Sequence, residues 1–193
     1  MIHNLSNTIT TFFFKKNMIE TSEIAIFCYG MEVIVSTFVG ISTIILISAF
    51  LKNISFGILY LLYIVPIRMY VGGYHAKSYL KCNIVFSCFF IIALLCYQNM
   101  GLREYKILSY FNLMSTILTF NLAPLENKNK LIEKSKKKIY RNIDVLFYIV
   151  GGIVGICFKH LHWINILTIV ITNVTILLLI GKGEEVYERT IKK

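Results

Sequence analysis

No C-x-x-C pair occurs in this chain, and its five cysteines (Cys28, Cys82, Cys88, Cys96 and Cys157) are odd in number. Neither a disulfide framework nor a structural zinc site is expected from such a set. Cys88, Cys96 and Cys157 fall inside apolar stretches, where cysteine behaves as a small hydrophobe. Residues 1–23 lack a basic n-region ahead of an apolar core and lack a small-residue cleavage site. They do not read as a cleavable signal peptide. Acidic residues are scarce, 10 Asp+Glu against 20 Lys+Arg, which leaves a net charge of +10. On a water-soluble chain that balance points to nucleic acid, but the hydropathy argues against a soluble chain.

Of the 193 residues, 56% are hydrophobic, and the mean hydropathy is +0.68. A soluble domain is nearer ~45–50% apolar. Charge is missing over long windows: residues 33–51, 82–102, 107–125 and 160–181 contain no Asp, Glu, Lys or Arg. Each approaches or exceeds the roughly 20 residues a membrane-spanning helix needs. Two more uncharged windows, 53–67 and 145–158, are shorter. Lys52, Arg68 and Lys159 at their edges can snorkel to the interface and lengthen the effective span. The expected fold is an all-α integral membrane protein with about six transmembrane helices, the second and fifth being the weakest.

The basic residues sort by side. With a cytoplasmic N-terminus, 16 Lys and Arg fall inside, and only Lys52, Arg103, Lys106 and Lys159 fall outside. The positive-inside rule fits this orientation. Both termini are then cytoplasmic, and so is the connection between the second and third spans. The chain reads as a single membrane domain, 1–193, with an N-terminal segment (1–23), a basic cytoplasmic loop (126–142) and a cytoplasmic tail (182–193).

Leu5, Ile9, Phe12 and Phe13 recur at near-helical spacing, followed by Lys15 and Lys16. The pattern suits an amphipathic helix on the inner leaflet; a frayed tail is the alternative. Glu32 stands at the edge of the first span, where an acid is costly unless paired or solvated. It is a candidate substrate-binding residue or an interfacial one. The stretch 126–141, with Lys134, Lys136, Lys137 and Lys138, carries seven basic residues and two acids. It can fix topology against anionic lipid, dock an acidic peptide, or do both. Gly151, Gly152 and Gly155 have the look of a helix–helix contact.

Residues 68–82 carry the chemistry: Arg68-Met69-Tyr70-Val71-Gly72-Gly73-Tyr74-His75-Ala76-Lys77-Ser78-Tyr79-Leu80-Lys81-Cys82. A thiol and an imidazole are the minimum equipment for covalent peptide-bond chemistry. The bland reading is an interfacial histidine and a buried apolar cysteine. Three features favour the dyad. Both residues share one short cytoplasmic connection. Gly72-Gly73 permits a tight backbone break. Arg68, Lys77 and Lys81 surround the thiol with positive charge, which favours a thiolate. In a straight helix His75 and Cys82 would stand about 10.5 Å apart along the axis, so a working pair requires a bend. Ser78 or backbone N–H groups near Cys82 are candidate oxyanion donors. Arg68 either binds substrate carboxylates or anchors the span.

The pattern Arg68, Gly73-x-His75-Ala76-x-Ser78 and Cys82 resembles the accessory gene regulator B (AgrB) family of membrane cysteine endopeptidases. Tyr29-Gly30-Met31-Glu32 and Ala123-Pro124-Leu125 with the basic run behind it are similar to further family segments. The family often has a proline after the lysines, where this chain has Lys130-Leu131. The resemblance implies that Cys82 is the nucleophile and His75 its base. It also implies an AgrD-like precursor peptide as partner, cleaved through a thioester acyl-enzyme. A precursor cysteine then closes a thiolactone, the autoinducing peptide of quorum sensing. A homodimer in the bacterial cell membrane follows from the same resemblance, with no cofactor, no metal and no nucleic acid. The competing class is a small membrane transporter or export component for a peptide, which has no need of His75 and Cys82.

Overall fold

A computed structural model of the chain describes residues 2–71, 78–124, 134–158 and 160–191. Regular structure among them is helical throughout, as expected. α1 (Ile2–Lys15) is followed by a 3₁₀ turn (Thr21–Glu23). Then come α2 (Ile24–Phe50), α3 (Ile54–Val71), α4 (Tyr79–Asn99), α5 (Leu102–Leu122), α6 (Lys134–Cys157) and α7 (His162–Ile191).

The charge-free windows coincide with α2 to α7, in keeping with an all-α membrane protein. Among the described residues, five helical stretches are long and apolar enough to cross a membrane: Thr21–Phe50, Ile54–Val71, Tyr79–Asn99, Lys136–Cys157 and His162–Tyr187. Both short windows qualify. α5 does not, although its 21 residues are long enough. Its face formed by Ser109, Asn112, Ser115 and Thr119 is polar and buried, while Ile107, Met114 and Ile117 on other faces are exposed. Spacings of three and four put the polar set on one side of the helix. α5 thus turns polar groups inward and apolar groups outward, the reverse of a helix in water.

α7 is the central helix and packs against α3, α4, α5 and α6. Ile164, Ile169, Val170, Ile171, Val174 and Leu178 are buried along it. Lipid tails are as apolar as these side chains, so polar contacts and close packing help hold the bundle. Asn112 Nδ2 on α5 donates to the Thr168 carbonyl at 3.0 Å, and Thr172 Oγ1 donates to Asn112 Oδ1 at 2.9 Å. Asn173 Nδ2 donates to the Phe89 carbonyl of α4 at 3.3 Å, and Thr175 Oγ1 donates to Tyr148 Oη of α6 at 3.0 Å. Each such bond contributes about 0.6 kcal/mol by measurements in other membrane proteins.

The glycines of α6 set its distance from its neighbours. A Cβ on Gly155 would strike Ser109 Oγ and stand 2.8 Å from Thr168 Oγ1. One on Gly152 would stand 2.5 Å from Leu113 Cδ2. The glycine set therefore serves contact within the subunit, to α5 and α7.

α1 lies against α2, with Ser6 and Thr10 buried and Leu5, Phe12 and Phe14 exposed. The rings of Phe13 and Phe27 join the two helices, with centroids 5.4 Å apart. The N-terminal segment is thus helical through Lys15, with apolar side chains on its outer face.

Candidate active site

The site is built around the start of α4. Ser78 is extended, with φ −141° and ψ 147°, and its side chain accepts from the Lys81 N–H at 3.3 Å. This is an N-cap: a hydroxyl satisfies one of the donors that a first turn leaves without a helical partner. Cys82 N–H closes the first full helical bond to the Ser78 carbonyl at 3.1 Å. Helix therefore does not run through Ser78, and Cys82 stands one turn inside an N-terminus. The aligned peptide dipoles there favour negative charge. The Cys82 N–H is spent on the helix and the Ser78 hydroxyl on the cap. By position, the N–H groups of Tyr79 and Leu80 have no helical acceptor.

Arg68, in the last turn of α3, brings its charge to the thiol. Its Nη2 lies 3.9 Å from Cys82 Sγ, the outer reach of an N–H donated to sulfur. The guanidinium carbon sits 5.6 Å from the Phe86 ring centroid, so the aromatic face one turn beyond Cys82 supports the cation. Cys82 is half-buried. A partly exposed sulfur beside a guanidinium and a helix N-terminus is the environment in which thiolates act as nucleophiles.

Glu32 reaches the same turn from α2. Tyr79 Oη donates to Glu32 Oε2 at 2.9 Å, and His3 Nδ1 of α1 lies 2.5 Å from Glu32 Oε1. Cys28 is one helical turn before Glu32, and the donor atoms of His3, Cys28 and Glu32 lie within 4.8 Å of one another, so the three could hold a metal ion. The two carboxylate oxygens are already engaged by Tyr79 and His3, which accounts for the cluster without an ion. A second tie follows one turn on, where Asn83 Nδ2 donates to the Ser36 carbonyl at 3.4 Å.

The same end of the bundle gathers the basic side chains. The Tyr70 and Tyr140 rings, centroids 5.4 Å apart, bring the end of α3 to the start of α6. Arg141 sits 4.6 Å from the Phe120 ring, joining α6 to the last turn of α5. Lys136, Lys137 and Lys138 are exposed on the first turns of α6. Lys134 opens that helix, so the last part of the segment expected as a loop, 126–142, is helical. His75, Gly72, Gly73, Lys77 and residues 125–133 lie outside the described residues, and with them the expected approach of His75 to Cys82.

The sequence reading missed two features. The Ser78 cap was legible as a serine ahead of an apolar helix, but Ser78 was read only as a possible oxyanion donor. Asp144 was treated as the edge of a window. It is fully buried in α6, and neither carboxylate oxygen has a hydrogen-bond partner among the described residues.

Comparison with known proteins bears on the family of the chain. The family described as Accessory gene regulator B matches residues 6–180. An AgrB-like protein of Clostridium beijerinckii is 26% identical over 152 residues, covering 78% of this chain and 76% of the relative. AgrB-like protein 1 of Clostridium perfringens (strain 13 / Type A) is 28% identical over 145 residues, covering 71% and 73%. No solved structure matches the chain. The chain belongs to the accessory gene regulator B family, whose multi-pass membrane proteins take part in processing the agr quorum-sensing peptide.

Proposed function

We propose that this protein is a membrane cysteine endopeptidase. It cleaves an AgrD-like precursor and passes the product to a thiolactone. One observation carries the reading: Cys82 stands one turn inside the N-terminus of α4 with Arg68 Nη2 3.9 Å from its sulfur. A packing cysteine has no use for a guanidinium and a capped helix start.

In this reading the Cys82 thiolate attacks the carbonyl carbon of the scissile peptide bond. The carbonyl oxygen takes up negative charge, for which the first-turn N–H groups of Tyr79 and Leu80, which have no helical acceptor, are candidate backbone donors. The C–N bond breaks, and His75, protonated when it activated the thiol, returns that proton to the leaving amine. The result is a thioester on Cys82. A cysteine of the precursor then attacks the thioester carbonyl, losing its proton to His75, and the Cys82 thiolate leaves. One thioester forms as another breaks, so the second step is nearly balanced in energy. Water must be kept from the acyl-enzyme, and a site at the membrane edge serves that need.

The test is co-expression with an AgrD-like precursor. A precursor–enzyme adduct at Cys82 that hydroxylamine releases is the expected species. A cleaved precursor with no adduct, and with cleavage retained in Cys82→Ala, would instead favour peptide export without covalent chemistry.

Two further parts belong to this reading. The basic end of the bundle faces the cytoplasm, on the 16-to-4 distribution of Lys and Arg. A reporter fused after Lys106 should read as external, and an internal signal there would reverse the topology. Lys134, Lys136, Lys137 and Lys138 dock the precursor's acidic part. Replacing all four with Gln should weaken precursor binding several-fold. Raised salt should mimic the change, because exposed charges are screened over about 10 Å at 0.1 M. Unchanged binding with intact topology would leave these lysines only their retention role.

A further inference from the structure

Glu32 joins three helices at one carboxylate. Oε1 meets His3 of α1 at 2.5 Å and Oε2 accepts from Tyr79 of α4 at 2.9 Å. Tyr79 is the first residue of α4 and stands three positions before Cys82. In a helix that spacing puts the two side chains on one face, a turn apart. The Glu32 side chain is 15% exposed, whereas that of His3 is 71% exposed. The carboxylate is thus held between a surface helix and the first turn of the nucleophile's helix.

The rest of α1 explains why this link is not mere packing. Its Ser6 and Thr10 face the bundle, while Leu5, Phe12 and Phe14 are exposed. Lys15 and Lys16 follow at its end. Such a helix lies on a membrane surface, its apolar face in the lipid boundary. Its side-chain hydrogen bond to α2, from His3, ends on the residue that holds Tyr79. Downstream, the Asn83–Ser36 bond fixes the second turn of α4 to α2, and Gly40 leaves room for it: a Cβ there would stand 3.2 Å from Asn83 Oδ1. Among the described residues, the first turn is tied to α2 by the Glu32–Tyr79 hydrogen bond.

We infer that Glu32 is a positioning residue for Cys82. It fixes the first turn of α4 through Tyr79, and His3 holds it in place from α1, so the surface helix sets the register of the nucleophile against Arg68. This assignment rests on the reading of Cys82 as nucleophile and replaces direct precursor binding as the role of Glu32. A shift of about 1 Å at a reacting group can cost up to a hundredfold in rate, and the clamp acts on that scale.

The experiment uses the full chain in lipid nanodiscs with Glu32→Ala, Tyr79→Phe, His3→Ala and the Glu32→Ala/Tyr79→Phe double variant. Peptide-resolved mass spectrometry follows alkylation of each cysteine by iodoacetamide, which needs no precursor and no peptidase activity. The expected result is a several-fold slower reaction at Cys82 in Glu32→Ala and Tyr79→Phe, with Cys96 and Cys157 unchanged. The double variant should match the singles, because the two residues act as one unit. His3→Ala should give a smaller change in the same direction. With precursor, kcat should fall about tenfold and KM stay constant. A raised KM with unaltered Cys82 alkylation would overturn the inference and return Glu32 to substrate binding. Equal changes at every cysteine would also overturn it, since they report a loosened bundle. Tyr79→Phe removes one oxygen atom and guards against a variant that fails to fold. If alkylation responds as expected while Cys82→Ala still cleaves precursor, the clamp stands and the peptidase reading falls.

Discussion

Alanine at position 82 should leave the protein in the membrane and abolish cleavage of a co-expressed precursor. The side chain is half-buried at the end of the bundle, and its loss removes one sulfur from a site that is partly open. A fold defect is not expected from so small a truncation there, whereas deep core truncations cost several kcal/mol. The chemical effect should be complete, because in this reading the Cys82 sulfur is the atom that forms the acyl bond. Cys82→Ser should also be nearly inactive, since a hydroxyl is a far weaker nucleophile than a thiol with thiolate character. His75→Ala should match Cys82→Ala. The double variant should be no worse than either single, because members of a catalytic unit are non-additive. Cys88→Ala, Cys96→Ala and Cys157→Ala should retain activity. Quantitative immunoblotting of the membrane fraction and of the precursor's released C-terminal piece reads each variant. Cleavage by Cys82→Ala at more than a few per cent of the wild-type rate would end the peptidase mechanism.

The helical membrane fold was legible because charge is so strongly segregated in this sequence. A window without charge has one stable solution in lipid, a helix that satisfies its own backbone. The rule left the character of α5 open. Absence of charge does not separate a uniformly apolar helix from one whose Ser109, Asn112, Ser115 and Thr119 face inward, and only the packing shows that they do. Cys82 stood out as the candidate nucleophile by residue type and setting. Its surroundings did not. Arg68 lies 14 positions from Cys82 and Glu32 lies 47 from Tyr79, and no local spacing predicts contacts of that range. His3 was invisible as a partner for the same reason. Ser78 shows the opposite failure: the cap was local and readable, but the search for an oxyanion donor claimed the hydroxyl first.

Arg68→Leu should cost the proposed peptidase activity about tenfold to a hundredfold in kcat/KM while leaving the protein folded. Leucine keeps apolar bulk against Phe86 and removes the charge beside the sulfur. Two unit charges about 4 Å apart interact by about 4 kcal/mol at an effective dielectric of 20. The contact between Nη2 and Sγ is 3.9 Å, but the site is only partly buried and salt screens it, so the realised effect is expected to be smaller than that figure. Arg68→Lys should fall between leucine and wild type. It restores a positive charge, but it loses the guanidinium's broad contact beside the Phe86 ring. The two expected roles of Arg68 separate cleanly in the kinetics. A charge partner for Cys82 lowers kcat when removed, and slows alkylation of Cys82 in the absence of precursor. A binder of precursor carboxylates raises KM and leaves alkylation untouched. A residue that merely anchors α3 changes the amount of protein in the membrane and neither rate. With Nη2 3.9 Å from the Cys82 sulfur and the guanidinium beside Phe86 of the same helix as Cys82, the first outcome is the expected one. Activity within twofold of wild type in Arg68→Leu, at equal membrane abundance, would remove Arg68 from the site.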